Sequence, residues 1–490
     1  MIALAKAVWI TEDLHMKANV VKACKRILFI LPVFLGVYGL CIRGEESLID
    51  ALFNSLLMYV FCYAENPANW AVEAARWMAP LMTASGILAI VQTLRDRIHH
   101  FLLFKSGKSI AVYGPDDEKE TLLDEIGRFG INGKDDFVPA TRYILLDDEQ
   151  TNFAFYHANR SKLADRAVCL KSRTLRSGAV CDSNLSVFCP EETSARLFWK
   201  ENCIYSLSKE HGHKMEIVLI GFDKLGENLL LFGLQNNIFS PDQEIAYHVF
   251  GDGTKFRATH TELDSLSDAV VFHQEPWYSH LPMMEKAAMV IVLTQDNQIE
   301  LLQELLFAVK RNPIHVFAAN SLAASLLHEK ERLMIFDWKK KAQCLEHILS
   351  DTLFQRAKKI NLRYAHLYSG IEENDEEMDL QWKQLDTFTR YSNVSSADYH
   401  EVRLKMLEAD GKEISDPAGF PAELLELLAG LEHIRWCRYH WLNNWKYGVP
   451  ADGRAKDKSL RIHRDLIPYQ ELTEGEKEKD RENIRILHSI

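Results

Sequence analysis

Seven side chains near the C-terminus have the chemistry to bind a small ligand. They are His433, Arg435, Trp436, Trp441, Trp445, Tyr447 and Lys456. Aromatic rings stack on nucleobases, and a guanidinium group binds phosphate through paired hydrogen bonds. We therefore predict a site here for a nucleotide-like or other anionic small molecule. The alternative is that the tryptophans form the core of a small helical domain, with Arg435 paired to Glu432 at helical spacing.

A second candidate site is a glycine-containing turn after an apolar run at residues 216–220. Gly221 and Gly226 stand at the first and third glycine positions of a dinucleotide-binding loop. Asp252 ends the next predicted strand, where it could accept ribose hydroxyls or simply be a turn residue. Asp223 occupies the middle glycine position and adds a negative charge beside the expected phosphates. We therefore expect no ordinary NAD binding, and the sequence does not identify a cofactor.

These turns belong to two predicted α/β modules. Short apolar runs of strand type alternate with helical stretches from residue 109 onwards, which is typical of parallel, buried sheets. The strand at 109–113 runs into Gly114, just as the strand at 216–220 runs into Gly221. The sequence therefore predicts an α/β fold with tandem Rossmann-like, doubly wound domains.

Several classes of site are missing from the 490 residues. There is no phosphate-binding P-loop, no His-Glu-x-x-His and no Gly-x-Ser-x-Gly. The nine cysteines are scattered without a Cys-x-x-Cys pair, which argues against a disulfide framework or a zinc site. The net charge of −12 argues against nucleic acid as a partner. We therefore predict a protein that is not an enzyme, holds no metal and binds no nucleic acid.

The N-terminal region carries three apolar runs separated by polar gaps. We predict two membrane spans at about residues 27–43 and 73–94 and a shorter re-entrant helix at about 49–63, because a span needs about 20 apolar residues. Basic residues flank the hairpin and acidic residues lie inside it, so the positive-inside rule puts both termini in the cytoplasm. This predicts a multi-pass protein of the inner membrane, with the lipid bilayer as a partner. The alternative is that the middle helix lies on the outer surface and the hairpin is only an anchor.

The segment after the re-entrant helix is a candidate pore lining. Glu65 and Asn66 fall where a channel of this layout has its selectivity filter. A ring of Glu65 carboxylates from several subunits would favour cations. The potassium-filter sequence Thr-Val-Gly-Tyr-Gly is absent, and the alternative for Glu65 is an ordinary acid on an exposed loop.

The C-terminal segment resembles the ryanodine-receptor repeat (RyR) domain. The resemblance rests on the residues at 431–436 (LEHIRW), 445–448 (WKYG), 467–469 (IPY) and 477–481 (KEKDR). Asn444 stands where this family usually has a glycine, and Ile467 replaces a valine. The resemblance implies a small, mainly helical domain.

The chain as a whole resembles channels that carry tandem RCK (TrkA-N-like) regulatory domains. Its matching features are the two spans with a re-entrant helix, the Gly221-x-x-x-x-Gly226 turn and the apolar run at 289–294 (MVIVLT). Residues 382–405 are similar to the stretch that precedes the RyR domain in bacterial proteins combining the two modules. The resemblance implies a homo-oligomer, with a tetramer as the expected form.

These observations predict five regions. They are a membrane region at 1–107, Rossmann-like domains at 108–210 and 211–330, a helical connector at 331–415 and an RyR domain at 416–490. The predicted function is an oligomeric, ligand-gated, cation-type channel whose RCK-like ring and RyR domain sense a nucleotide-like ligand. The alternative is a membrane-anchored signalling or defence effector that permeabilises the membrane after the RyR domain binds a nucleotide messenger.

Overall fold

The protein consists of two compact units, Met1–Ser106 and Gly107–Ile490. The computed structural model describes residues 27–42, 46–63, 69–134, 136–176, 179–180, 182–310, 312–318, 324–327, 330–349, 352–412 and 420–489. In this part of the chain the first unit is helical, whereas the second contains parallel sheets. The predicted pore residues Glu65 and Asn66 lie outside the described residues.

The described residues of the first unit form three helices: Ile27–Ile42, Leu48–Leu57, which continues as a 3-10 turn to Val60, and Trp70–Lys105. Asn69 starts the third helix, because its Oδ1 accepts hydrogen bonds from the backbone N–H groups of Ala71 and Val72 at 3.0 and 3.1 Å. Its Nδ2 donates to the carbonyl of Gly39 at 2.9 Å. One side chain thus caps the third helix and ties it to the first.

The lengths and the exposed apolar side chains of these helices can be compared with the predicted membrane hairpin. By length and composition, one helix in the described part of the chain, Trp70–Lys105, is long and apolar enough to cross a membrane. Ile27–Ile42 and Leu48–Val60 are shorter apolar helices. Most of the exposed large hydrophobic side chains in the described residues belong to this unit. One candidate span is therefore found, and the complete two-span hairpin stays a prediction.

The second unit contains two parallel sheets and one small mixed sheet. Their strands are β1 Ile110–Tyr113, β2 Gly130–Asn132, β3 Arg142–Leu145, β4 Ala167–Lys171, β5 Leu185–Phe188, β6 Lys214–Ile220, β7 Glu244–Phe250, β8 Ala269–His273, β9 Met289–Val292, β10 Ile314–Phe317, β11 Leu333–Phe336, β12 Lys446–Tyr447, β13 Lys456–Asp457 and β14 Ile462–His463. The first sheet has the order β2-β1-β3-β4-β5, and the second has the order β11-β10-β9-β6-β7-β8. Counted from β6, the second sheet has the 3-2-1-4-5-6 order of a doubly wound dinucleotide-binding fold, whereas the first has the 2-1-3-4-5 order of the flavodoxin type. The predicted α/β fold is confirmed.

Two strands, β8 and β11, form the edges of the second sheet. Both are apolar runs, AVVFH and LMIF, and both contain exposed or half-buried residues. All four residues of the central strand β9 are buried. β11 begins at Leu333, which pairs with Ile314 of β10 and lies in the region predicted to be a helical connector.

Helices surround these sheets and fill the C-terminal region. They are Asp116–Ile126, Glu149–Ala158, Arg160–Leu163, Pro190–Glu201, Tyr205–Glu210, Lys224–Asn236, Thr254–Thr259, Leu281–Lys286, Gln298–Ala308, Trp338–Ala342, Leu345–Ile348, Thr352–Ser369, Asp375–Gln384, Thr387–Ala409, Ala422–Leu442 and Glu474–Ser489. Two of them are referred to below as the connector helix, Thr387–Ala409, and the docking helix, Ala422–Leu442.

The docking helix is fixed to the second sheet by a buried ion pair. Arg438 Nη1 lies 2.5 Å from Asp268 Oδ2, directly before β8, and both side chains are inaccessible to water. The same nitrogen donates to the carbonyl of Leu234, and Nη2 donates to Ser267 Oγ. The C-terminal helices and the second Rossmann-like sheet therefore share one interior.

We predict that Gly39 is required for helix packing in the first unit. A Cβ at Gly39 would lie 2.6 Å from Val72 Cγ2 and 2.7 Å from Asn69 Oδ1, whereas one at Gly86 would meet nothing within 4 Å. Gly39→Ala should therefore destabilise the unit by about 1–3 kcal/mol through overpacking. Gly86→Ala should be neutral or stabilising by up to about 1 kcal/mol. Thermal unfolding of both variants in detergent measures the difference, and equal midpoints would contradict the packing.

We predict a large stability loss on truncation of Arg438. Arg438→Ala leaves the Asp268 carboxylate buried without its partner, which should cost about 3–5 kcal/mol. Lys214→Ala is the matched control, because the Lys214–Glu244 pair is 64 % exposed on both sides and should contribute less than about 1 kcal/mol. Urea unfolding of the full-length variants gives the two shifts.

Candidate functional site

One face of the docking helix carries three rings in contact with one another. His433, Trp436 and His440 follow one another at intervals of three and four residues, so they project from the same side of the helix. The ring centroids of His433 and Trp436 are 5.6 Å apart, and those of Trp436 and His440 are 4.0 Å apart. This spacing builds a continuous aromatic surface from one stretch of sequence.

The small sheet brings two further side chains to this surface. β14 pairs with β13 so that His463 lies opposite Lys456. The His463 ring packs edge-on against Trp436 at a centroid distance of 4.9 Å. Two residues from the polar loop after the docking helix thereby join those from its helical face.

These groups line a cavity of about 520 Å³. Four of the seven predicted ligand-binding residues border it, namely His433, Arg435, Trp436 and Lys456. Its other walls include the rings of Tyr364 and Phe388 and the amides of Asn393 and Asn483. A volume of this size is typical of small-molecule sites, which lie at about 300–1,000 Å³.

The other three predicted residues lie elsewhere. Trp445 is buried and stacks on Phe388 at 5.2 Å, so it is part of the domain core. Trp441 is half-buried and packs against the apolar interior. Tyr447 is exposed on β12. Trp441 and Trp445 therefore fit the alternative interpretation, in which the tryptophans form the core of a small helical domain, whereas Trp436 faces the cavity.

Each acid that lines the cavity has a basic neighbour. The pairs are Glu432–Arg435 at 2.7 Å, Glu476–Lys479 at 2.6 Å, Asp480–His433 at 3.3 Å and Asp465–Arg464 at 3.4 Å. Glu432 also contacts Arg403 at 3.3 Å, so two guanidinium groups share one buried carboxylate. The Arg435 guanidinium is thus held by Glu432 and by Ser395, to which Nη1 donates at 3.2 Å.

Lys456 is the cation that these pairs leave unneutralised. In the part of the chain that the structure describes, Lys456 forms no ion pair. Partial desolvation of its ammonium group, together with repulsion from Lys458, lowers the pKa of Lys456. The four acids that line the cavity are balanced by Arg435, Lys479, the charged His433 and Lys456. Lys456 therefore offers a local cation, rather than a net positive charge, to an anionic group of a ligand.

The histidines around the cavity differ in charge. Burial alone would lower the pKa of His433, but the hydrogen bond to Asp480 raises it to about 10, and Nε2 donates to the carbonyl of Ile467 at 2.8 Å. Burial lowers the pKa of His440 to about 3 and that of His463 to about 4. At neutral pH the cavity is thus bordered by one imidazolium and two neutral imidazoles.

In the glycine turn after β6, an aspartate of the turn itself accepts the hydrogen bonds of the backbone amides. Gly221 has φ of +98°, and a Cβ there would lie 2.7 Å from the Thr294 nitrogen, so the position requires glycine. Asp223 Oδ1 accepts hydrogen bonds from the amides of Leu225 and Gly226 at 3.0 and 3.3 Å. Those amides would otherwise bind a pyrophosphate. Asp252 follows β7 and lines a cavity of about 1,020 Å³ at the carboxyl ends of the strands.

Sequence reasoning missed several residues of the C-terminal cavity. His440 could have been found, because it lies seven residues after His433 on one helical face. Tyr364, Phe388 and Asn393 come from the connector region, at least 40 residues before His433, and no local pattern links them to the site.

Comparisons with known proteins identify the C-terminal domain. Residues 421–488 match the family model described as RyR domain. This confirms the predicted RyR domain, which comprises the docking helix, β12–β14 and the Glu474–Ser489 helix. No finding supports the predicted TrkA-N and RCK likeness, and no curated protein matches the chain.

Two solved structures show a remote likeness. The crystal structure of L-tryptophan dehydrogenase from Nostoc punctiforme has 10 % sequence identity and a TM-score of 0.24, and the match covers 69 % of this chain and 87 % of that one. The apo-structure of D-lactate dehydrogenase from Escherichia coli has 10 % identity and a TM-score of 0.20, with 63 % and 98 % covered. TM-scores this low carry no argument about ligand or reaction.

The prediction that the chain is not an enzyme is corrected here. It rested on the absence of familiar catalytic motifs, yet both similar structures are dehydrogenases. The absence of such motifs therefore does not establish the absence of activity, and we withdraw the prediction.

We predict that His433 makes stability pH-dependent. Its pKa in the folded protein, about 10, lies above the unfolded value of about 6.5. The charged His433–Asp480 pair therefore stabilises the fold fully below about pH 6.5, and this contribution is lost as the pH rises towards 10. Urea unfolding should show a decline over this range that His433→Gln removes and that His157→Gln, at an exposed position, retains. An unchanged slope in His433→Gln would contradict the assignment.

Proposed function

We propose that this chain is a membrane-attached receptor whose RyR domain binds a small anionic, nucleotide-like ligand and thereby gates an ion-conducting N-terminal unit. The observation that carries the ligand class is Lys456, which forms no ion pair in the described part of the chain and lies in a cavity bordered by aromatic rings. The cation would neutralise a phosphate, and Trp436 and Tyr364 offer faces for a base.

The N-terminal unit supplies the reason for a membrane location. The Trp70–Lys105 helix has 36 residues, so at about 1.5 Å per residue it exceeds the bilayer core of about 30 Å. Its basic end, with Arg95, Arg97 and Lys105, favours a cytoplasmic location for the sheets that follow. An inner membrane and both termini in the cytoplasm are part of the proposal.

The ion-conducting role rests on the short Leu48–Val60 helix. Thr83 of the third helix donates to the carbonyl of Tyr59 at 2.9 Å, and Met58 and Val72 belong to one apolar cluster. A short helix packed against a longer one is the arrangement that a re-entrant pore helix needs, because backbone at membrane depth must be buried or face water. A pore of this kind is formed by several copies of the chain, so the proposal includes a homo-oligomer.

The docking helix offers a route for the signal within the second unit. One face of the helix lines the ligand cavity through His433 and Trp436, and Arg438 on another face is fixed to Asp268 of the second sheet. A ligand that favours one position of this helix would shift the conformational equilibrium of the second sheet, to which the helix is fixed. A ligand with equal affinity for both states would shift nothing.

Ligand binding is tested with Lys456→Ala against Lys458→Ala. The control removes a cation from the same loop, but Lys458 pairs with Asp386 and borders a different cavity. Loss of a charge-assisted contact of about 1.5–3 kcal/mol should weaken binding at least about tenfold in Lys456→Ala. Calorimetry of the full-length protein in nanodiscs with nucleotides, cyclic dinucleotides and inorganic phosphate gives the affinities. Equal affinity in both variants would remove Lys456 from the site.

Ion conduction is tested separately in liposomes that contain the full-length protein. Flux that a bound ligand changes, and that Lys456→Ala no longer shows, supports gating by the RyR domain. Cation-selective flux favours a channel, whereas non-selective leakage favours an effector that permeabilises the membrane. Absence of flux with every ligand that binds would refute the ion-conducting role and leave the receptor.

A further inference from the structure

A cluster of imidazole and carboxylate groups lies at the carboxyl end of β8. The potential ligand atoms of His273, Glu275 and His280 all lie within 4.8 Å of one another. His280 Nε2 is 3.8 Å from Glu275 Oε2, which is too long for a hydrogen bond. It is close to the spacing of about 3.4 Å that follows for two ligands of one tetrahedral zinc ion with bonds of about 2.0–2.2 Å.

The backbone holds these three residues in place. His273 is the last residue of β8, and the following turn, Trp277–His280, is anchored by the buried side chain of Trp277. The turn returns the chain so that the His273 and His280 rings are 4.5 Å apart. Phe250 of the neighbouring strand stacks on His273 at 4.6 Å and supports the cluster from β7.

The polar atoms of the cluster are incompletely satisfied. His280 Nε2 is buried and has no hydrogen-bond partner among the described residues, and the same holds for His248 Nε2 and Glu216 Oε2 on β7 and β6. His248 Nδ1 lies 2.9 Å from His273 Nε2, so these two nitrogens share a hydrogen bond and His273 Nδ1 is the nitrogen left to bind a metal. Buried nitrogen and oxygen atoms without a hydrogen-bond partner are positions that a bound cation can satisfy.

We infer that His273, Glu275 and His280 form a binding site for a divalent transition metal, with zinc as the best fit, and that His248 positions His273. Two imidazoles and one carboxylate are a common zinc donor set with one coordination position left open. A histidine ligand is usually oriented by a second group at its other nitrogen, as His248 does here. This proposal replaces the prediction of no metal, which considered only cysteine pairs and His-Glu-x-x-His.

The open position would face a cavity. His273 and Glu275 border the cavity of about 1,020 Å³ that also contains Asp252 and Arg257. A metal here would bind water or an anionic group of a molecule in that cavity. The site is independent of the proposed RyR ligand, because none of its residues lines the C-terminal cavity.

The test uses full-length protein in detergent, with the affinity tag removed and bound metal stripped by a chelator. Zinc titration and elemental analysis should give one ion per chain, and Co²⁺ should produce the visible absorption of a four-coordinate site. We expect His273→Gln and His280→Gln each to weaken binding at least about tenfold, and His248→Gln to weaken it less. His211→Gln, at an exposed position outside the cluster, should bind like the wild type.

Folding of each variant is checked by its melting temperature without metal. A wild-type protein that binds no zinc at micromolar concentration would overturn the proposal. So would equal binding by the wild type, His273→Gln and His280→Gln, since this places the ion elsewhere, for example at the Cys344, Glu346 and His347 group. His347→Gln should retain the site at β8 and thereby separates the two groups.

Discussion

The ion pair between Arg438 and Asp268 joins the RyR domain to the second Rossmann-like sheet inside the protein, where neither side chain reaches water. Removing two charges from water is costly, so such a pair persists only where further hydrogen bonds complete it. Asp268 accepts from Gln243 Nε2 and from the amide of Ile245, both at 3.2 Å. Because these partners belong to the start of β7, the pair fixes the docking helix to the sheet.

This anchoring determines which structural elements surround the C-terminal cavity. The connector helix is held to the second Rossmann-like domain by Tyr399, whose hydroxyl donates to the carbonyl of Ile238 at 2.8 Å. The connector helix also contributes Asn393 and Ser396 to the cavity wall. Much of the wall therefore comes from helices packed inside the second unit, and the small sheet adds Lys456 and His463. A ligand that alters their spacing must also alter the packing around the sheet, since interiors are close-packed.

The second sheet has kept the topology of a dinucleotide-binding fold but not its phosphate site. Asp223 uses the amides at the start of the Lys224–Asn236 helix as its own hydrogen-bond donors. The crevice at the carboxyl ends of the strands persists as a cavity. Its polar side chains come from the end of β8, from the segments that follow β7 and β8, and from the Thr254–Thr259 helix. The fold thus retains a site whose chemistry differs from that of its glycine turn.

The sequence by itself determined the α/β class, the central strands and the RyR domain. Buried parallel strands are continuous apolar runs, and the motif residues of the RyR domain lie within one helix and the segments after it. The tertiary structure decided the rest. The edge strands β8 and β11 are short apolar runs, which periodicity alone does not distinguish from buried helix segments, and their pairing with β7 and β10 identifies them as strands. The sequence alone does not distinguish the roles of Trp436 and Trp445. In the structure Trp436 faces the C-terminal cavity, whereas Trp445 packs on Phe388 of the connector helix. His273 and His280 are brought together by a buried tryptophan in the turn between them, a contact that no residue spacing encodes.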